Sequence, residues 1–234
     1  MSQFWRVVLF NLCRLLLACF LAVAVHNTYA TVTVGGTRVL YDGSKKEISF
    51  SVRNPDNTPY LIQAVIDDLQ GGLQKPPFII TPPLYRLNSG KENLMRIVLT
   101  GSLPQNIESM YWLRVKAIPS APREKNTLQI AVETNIKLIY RPEKLKGMDV
   151  ETESNKLSWH ISGDKLEVKN PSACFINFNM IEIAGKKLQD VSWVSPESIA
   201  TFNLPEGVKA GTLQYSIISD YGAIGKIHSI SLNG

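Results

Sequence analysis

Between Thr127 and Arg141 the even positions (Leu128, Ile130, Val132, Thr134, Ile136, Leu138, Tyr140) are almost all apolar, and the odd ones are mostly polar. A two-residue period predicts a strand with one buried face. The run covers fifteen residues, whereas most strands have about 5–6. A strand of that length outruns its sheet. Its surplus carries an apolar row and an unpaired backbone edge, which invites aggregation unless a partner is meant to pair there.

The same reading predicts shorter strands before it: a first strand over 31–40 kinked at Gly35-Gly36, then 47–53, 60–68, 78–80 continuing over 84–87, 94–100 and 111–118. Turn chemistry separates them, notably Asp42-Gly43, Asn54-Pro55-Asp56-Asn57 and Asn88-Ser89-Gly90. The pair Pro82-Pro83 predicts a strand that breaks or changes edge, because proline cannot donate to a ladder. Seven strands without a helical period match an immunoglobulin-like sandwich, here without the cysteine pair of antibody domains. Pro142 to Gly147 is polar and proline-marked, as linkers are. Beyond it strand patterns resume at 157–161, 166–169, 174–183, 191–194, 199–204, 212–219 and 226–232. The expected fold is therefore all-β, with two β-sandwich domains at 31–142 and 148–234.

Composition changes the picture mainly at the amino terminus. Arg6 and Arg14 precede the apolar run Leu15–Val25, and Thr28 and Ala30 supply small residues for a cut after Ala30. This three-part build predicts a cleaved secretory signal over 1–30. A spanning anchor needs about 20 apolar residues, and Arg14 interrupts this stretch, so no stable membrane anchor is expected. The signal takes two of the 25 basic residues and none of the 20 acidic ones, leaving a net charge of +3. That mild excess does not call for nucleic acid. Of three cysteines, Cys13 and Cys19 leave with the signal. Cys174, within an apolar-leaning strand pattern, reads as a small buried hydrophobe.

Catalytic chemistry is hard to find. His160 and His228 lie in separate strand patterns, without cysteine or carboxylate neighbours at a metal-ligand spacing. There is no G-x-S-x-G, P-loop or dinucleotide fingerprint. Trp112, Trp159 and Trp193 all fall in strand patterns and read as core residues. No catalytic residue, metal or cofactor is expected.

The motif T-L-Q-I-A-V-E-T-N-I-K-L-I-Y-R-P, with A-I-P before it, resembles the signature of periplasmic chaperones of the chaperone–usher pilus pathway. T-R-V-L-Y-D-G at 37–43, P-Y-L-I-Q-A at 59–64, T-P-P-L-Y-R-L at 81–87 and S-D-Y-G at 219–222 follow in that family's order. The short segment Pro119–Asn126 is similar to its short-loop branch. The resemblance implies two Ig-like domains with a cleft between them, and a periplasmic chaperone that caps pilus or fimbrial subunits and passes them to an outer-membrane usher. By it, Leu128, Ile130 and Val132 match the donor residues that enter a subunit's groove. Arg38 and Lys137 match the cleft cations that hold its C-terminal carboxylate, and Glu108, Arg141 and Asp220 match an interdomain ionic cluster. The disulfide some members carry late in the second domain has no counterpart here. The alternative is a secreted Ig-like adhesion or structural module. It needs export as well, but has no use for a carboxylate anchor. The free donor strand would also be available for self-association.

Overall fold

The first strand pattern divides between two sheets. In the computed structural model, which describes residues 14, 32–70, 76–120 and 128–232, β1 (Thr33–Val34) pairs with β3 (Glu47–Arg53). The chain then turns through Gly36, whose φ of +120 is closed to most residues with a Cβ. It enters the other sheet as β2 (Arg38–Asp42). A second crossing occurs at the proline pair. There β5 (Phe78–Thr81) pairs with β7 (Glu92–Leu99), whereas β6 (Leu84–Leu87), after a cis Thr81–Pro82 bond, pairs with β4 (Tyr60–Asp67). With β8 (Ser109–Pro119) and β9 (Val132–Arg141), the sheet orders are β1-β3-β7-β5 and β2-β9-β8-β4-β6. Their inner faces enclose Tyr41, Val52, Ile62, Met95, Ile97, Leu113 and Leu138, all fully buried.

The second half repeats the architecture on a smaller scale. One sheet runs β10 (Ser158–Ser162), β11 (Lys165–Asn170), β15 (Ser198–Asn203). The other runs β13 (Lys186–Lys187), β12 (Ile176–Ile183), β16 (Gly211–Ile217), β17 (His228–Leu232), with β14 (Trp193–Val194) also on β12. Trp159 sits 5.5 Å from Phe178 and 5.0 Å from Tyr215, ring centre to ring centre, among Leu166, Ile181 and Leu213. Cys174 is fully buried here, and burial pushes its thiol up to about 12. The native protein should accordingly be inert to a thiol reagent at neutral pH and titrate one thiol from this region once unfolded. Fast labelling of the folded protein would contradict that burial.

The stretch between the two cores departs from the expected plain linker. A 3-10 turn at Glu143–Leu145 is followed by a short helix, α1 (Val150–Ser154). Asp149 caps it by accepting from the backbone N–H of Glu151 and Thr152 at 3.2 and 3.1 Å. Five residues are too few to display a 3.6-residue period, so this helix leaves no pattern in the sequence. The expected signal over 1–30 lies outside the described residues except for Arg14, and the short segment after β8 lies outside them from 121 to 127.

Candidate functional site

Strand β9 is longer than its neighbours' pairing with it. On one side β8 accompanies it from Val132 to Tyr140, antiparallel. On the other side β2 runs parallel to it but begins only at Lys137, opposite Arg38. Residues 132–136 therefore have an open ladder edge on the β2 side among the described residues. Leu128 to Ala131 lie outside any strand.

The even-numbered apolar row crosses this boundary. Leu128, Ile130 and Val132 are 83%, 63% and 37% exposed, while Ile136, Leu138 and Tyr140 are buried in the first core. One strand face thus serves as core at one end and as uncovered apolar surface at the other. On the odd face Ile139 interrupts the polar pattern for a tertiary reason. It is buried against Met110 and against Phe175 of the second sandwich.

Where the open edge ends, two cations stand side by side. Arg38, Lys137 and Trp112 are direct cross-strand partners on β2, β9 and β8, so their side chains form one row on one sheet face. Asn177 and Trp193, partners on β12 and β14, form a second row facing it. Lys137 Nζ donates to Asn177 Oδ1 at 2.6 Å and lies 4.7 Å from the centre of the Trp193 ring and 5.9 Å from that of Trp112. The two indoles meet edge to face at 6.3 Å. Arg38 Nη1 donates to the Ile218 carbonyl at 3.3 Å, while its buried Nε has no partner among the described residues. The row opens onto a cavity of about 330 Å³ bordered by Thr37, Asn135, Ile218 and Ile224.

Two charges so close and so poorly hydrated resist being charged. Burial, reinforced by the neighbouring Arg38, lowers Lys137 to about 8. Burial also lowers Arg38, partly offset by Asp220. Two desolvated cations, one unpartnered buried donor and an open cavity are chemistry that suits an anion. Gly222 closes one wall. Its φ is +85, and a Cβ there would run into Thr37 Oγ1, so the backbone of this loop lies directly on the bend between β1 and β2.

Residues 31–146 match the model of the pili and flagellar-assembly chaperone PapD N-terminal domain, and 152–229 match the pili assembly chaperone PapD C-terminal domain. This chain belongs to the PapD family of pilus-assembly chaperones. It is 42% identical to the chaperone protein LpfB of Salmonella typhimurium over 224 residues, covering 92% of this chain and 96% of that one. It is 36% identical to the chaperone protein FimC of Escherichia coli, covering 88% of this chain and 86% of that one. Among solved structures it is similar to that of the Salmonella enterica SafA pilin in complex with the SafB chaperone. The match has a TM-score of 0.80 at 30% identity and covers 88% of this chain and 99% of that one.

In this PapD-family chaperone the two sandwiches are joined by a buried ionic cluster. Arg141 Nε donates to Glu108 Oε1 at 2.6 Å, and its Nη1 and Nη2 donate to Asp220 Oδ2 and Oδ1 at 2.6 and 2.8 Å. Glu108 Oε2 in turn accepts from the Phe175 N–H at 2.8 Å. Burial opposes the Arg141 charge, but its bonds to Asp220 and the nearby charge of Glu108 outweigh this and hold the guanidinium above its ordinary range. Glu108 is itself pushed up by burial, with Arg141 pulling the other way. The structure thus brings together Glu108, Arg141 and Asp220, and separately Arg38 and Lys137.

The sequence does not disclose Asn177, or the Trp112–Trp193 pair as anything but core. Of the three tryptophans read as core residues, only Trp159 packs inside a sandwich; Trp112 and Trp193 are half-buried in the cleft beside Lys137. Parity along β8 marks the face Trp112 is on, but only the ladder register puts it beside Lys137. Among the described residues no group of three or more His, Cys, Asp or Glu is placed to hold a metal ion. No helix among them is long and apolar enough to cross a membrane.

Proposed function

We propose that this chaperone captures pilus subunits in the periplasm by strand addition along the open edge of β9, anchors their terminal carboxylate between Arg38 and Lys137, and delivers them to an outer-membrane usher. The observation that carries the reading is the alignment of three features. An uncovered apolar row (Leu128, Ile130, Val132) leads into an unpaired strand edge, and that edge ends at two desolvated cations. A subunit strand whose carboxylate sits at the cations and whose backbone follows the edge must run parallel to β9, in line with β2. Ladder hydrogen bonds then supply affinity, alternate side chains fill the subunit's groove, and the anchor sets the register. The pilin-bound relative SafB supports the subunit as partner.

The export reading is part of the proposal. The match to the family begins at residue 31, directly after the expected cut at Ala30. We likewise take the domains as 31–142 and 148–234, with residues 1–30 removed on export and no cofactor required.

The deciding experiment is co-expression with candidate pilin subunits, followed by purification and mass measurement. A soluble one-to-one complex is expected. A chain that co-purifies with none of its candidate subunits, or that occupies the β9 edge with a second copy which subunit does not displace, contradicts the reading. Ile130→Asp tests the donor row. Ile130 is mostly exposed in the free protein, so stability should stay within about 0.5 kcal/mol of wild type. Burying the aspartate in a groove forfeits about 1.5–3 kcal/mol of apolar burial and adds an unpaired charge. Capture should fall by about a hundredfold or more.

A further inference from the structure

We infer that Asn177 is a neutral placeholder for the subunit carboxylate: its amide oxygen holds the Lys137 ammonium in place in the free chaperone without neutralising it. The inference rests on the anchoring role proposed for Lys137. Its observations are geometric. Asn177 belongs to the second sandwich, is 2% exposed, and its Oδ1 lies 2.6 Å from Lys137 Nζ. Its backbone is fixed on two sides, by pairing with Trp193 and by accepting from the Ile218 N–H at 2.8 Å. The oxygen is therefore presented by a rigid element.

The choice of side chain matters because of its charge. An ammonium has three donors and no acceptor, so any oxygen at this point will bind it. A carboxylate there would form a charge-assisted pair roughly twice as strong as the amide's bond, and would leave only the Arg38 charge to attract a subunit. The other charged groups nearby are Arg38, from β2, and Asp220, whose carboxylate is already taken by Arg141. With a neutral amide in place, both cations keep their charge for an incoming anion, while Lys137 is held against Trp193 and aimed at the cavity. Asn177 is thus a positioning residue whose neutrality sets the preference for a carboxylate terminus.

The test is Asn177→Asp, an isosteric change that adds an internal carboxylate. The probes are the subunit captured by the wild-type chain, and a peptide of that subunit's C-terminal segment made as the free acid and as the amide. Wild type should prefer acid over amide by tenfold or more. N177D should lose that preference and capture subunit at least tenfold more weakly, while melting at a higher temperature than wild type. In lysine-labelled free protein, the titration of Lys137 followed by NMR should move upward in N177D. Asn177→Ser retains a neutral acceptor and should keep the acid preference that N177D loses. If N177D holds subunit and prefers the acid as wild type does, the placeholder assignment is wrong. Loss of the acid preference in N177S as well would mean that shape at this position matters and neutrality does not. Should N177D not fold, N177S alone decides in the same way. If the wild-type chain captures no subunit at all, it is the anchoring role of Lys137 that has failed.

Discussion

Lys137→Ala should give a chaperone that folds normally and cannot hold a subunit. Truncating one partner of a buried, hydrogen-bonded charge pair costs about 2–5 kcal/mol of binding, which is a loss of roughly thirtyfold to several thousandfold in affinity. The free protein should not suffer, because its Lys137 is a desolvated cation beside Arg38. Relief of a charge that burial disfavours offsets the Asn177 oxygen left unpaired and the lost contact with Trp193, so stability should change little. The same burial makes capture depend on pH. With Lys137 lowered to about 8, the unfolded chain binds more protons than the folded one between about 8 and the ordinary lysine value of about 10.4. Stability of the free form therefore rises with pH across that window. Binding goes the other way. A carboxylate favours the ammonium form, so affinity should be flat below about pH 8 and fall by up to about tenfold per pH unit above it. Titration of subunit binding between pH 7 and 9.5 checks this. A K137A protein that still retains subunit at wild-type yield would remove Lys137 from the anchor, and a pH-independent affinity would mean that its ammonium is not part of the contact.

Arg141→Ala should produce the largest loss of stability of any single charge removal among the described residues. The side chains of Arg141, Glu108 and Asp220 are 8%, 1% and 14% exposed. Truncating the arginine leaves two carboxylates facing each other without a cation, at a cost of about 3–5 kcal/mol. Against the 5–15 kcal/mol that typically separates folded from unfolded domains, that is a substantial fraction. Denaturant unfolding should show a lower midpoint, and the two sandwiches should no longer melt together. Glu47→Ala is a useful contrast, since its pair with Arg96 spans 3.8 Å with both side chains about half exposed. It should shift stability by no more than about 0.5 kcal/mol. Were R141A to melt like E47A, the cluster would not be what joins the halves.

Both predictions depend on strand β9, and the two levels of description contributed differently to it. The sequence by itself determined the strand and its buried face, because a period of two is a local property. Its fifteen-residue pattern overran the ten-residue strand the fold builds, which leaves Leu128 to Ala131 outside any strand. It also marked where strands are interrupted, and the pairing shows that at each of these points the chain passes to the other sheet. Gly35-Gly36 and Pro82-Pro83 act through their own backbone chemistry, whatever surrounds them. The family motif added Arg38, Lys137 and the Glu108–Arg141–Asp220 cluster, since those positions follow the recurring pattern. None of the charges could have been singled out by residue type alone, as isolated strand-face charges look alike.

Only the tertiary structure decided what depends on register and on the second domain. The point at which the apolar row passes from exposed (Leu128, Ile130, Val132) to core (Ile136, Leu138, Tyr140) is set by where β2 starts and β8 ends. The short helix α1 was invisible because one turn carries no period. Asn177 and Trp193 become neighbours of Lys137 through pairings formed within a separate sandwich, 40 or more residues along the chain. A sequence pattern records which face a side chain is on. What stands opposite that face is settled by packing between elements, and here that packing sets a strand lysine beside Arg38, Asn177 and two indoles.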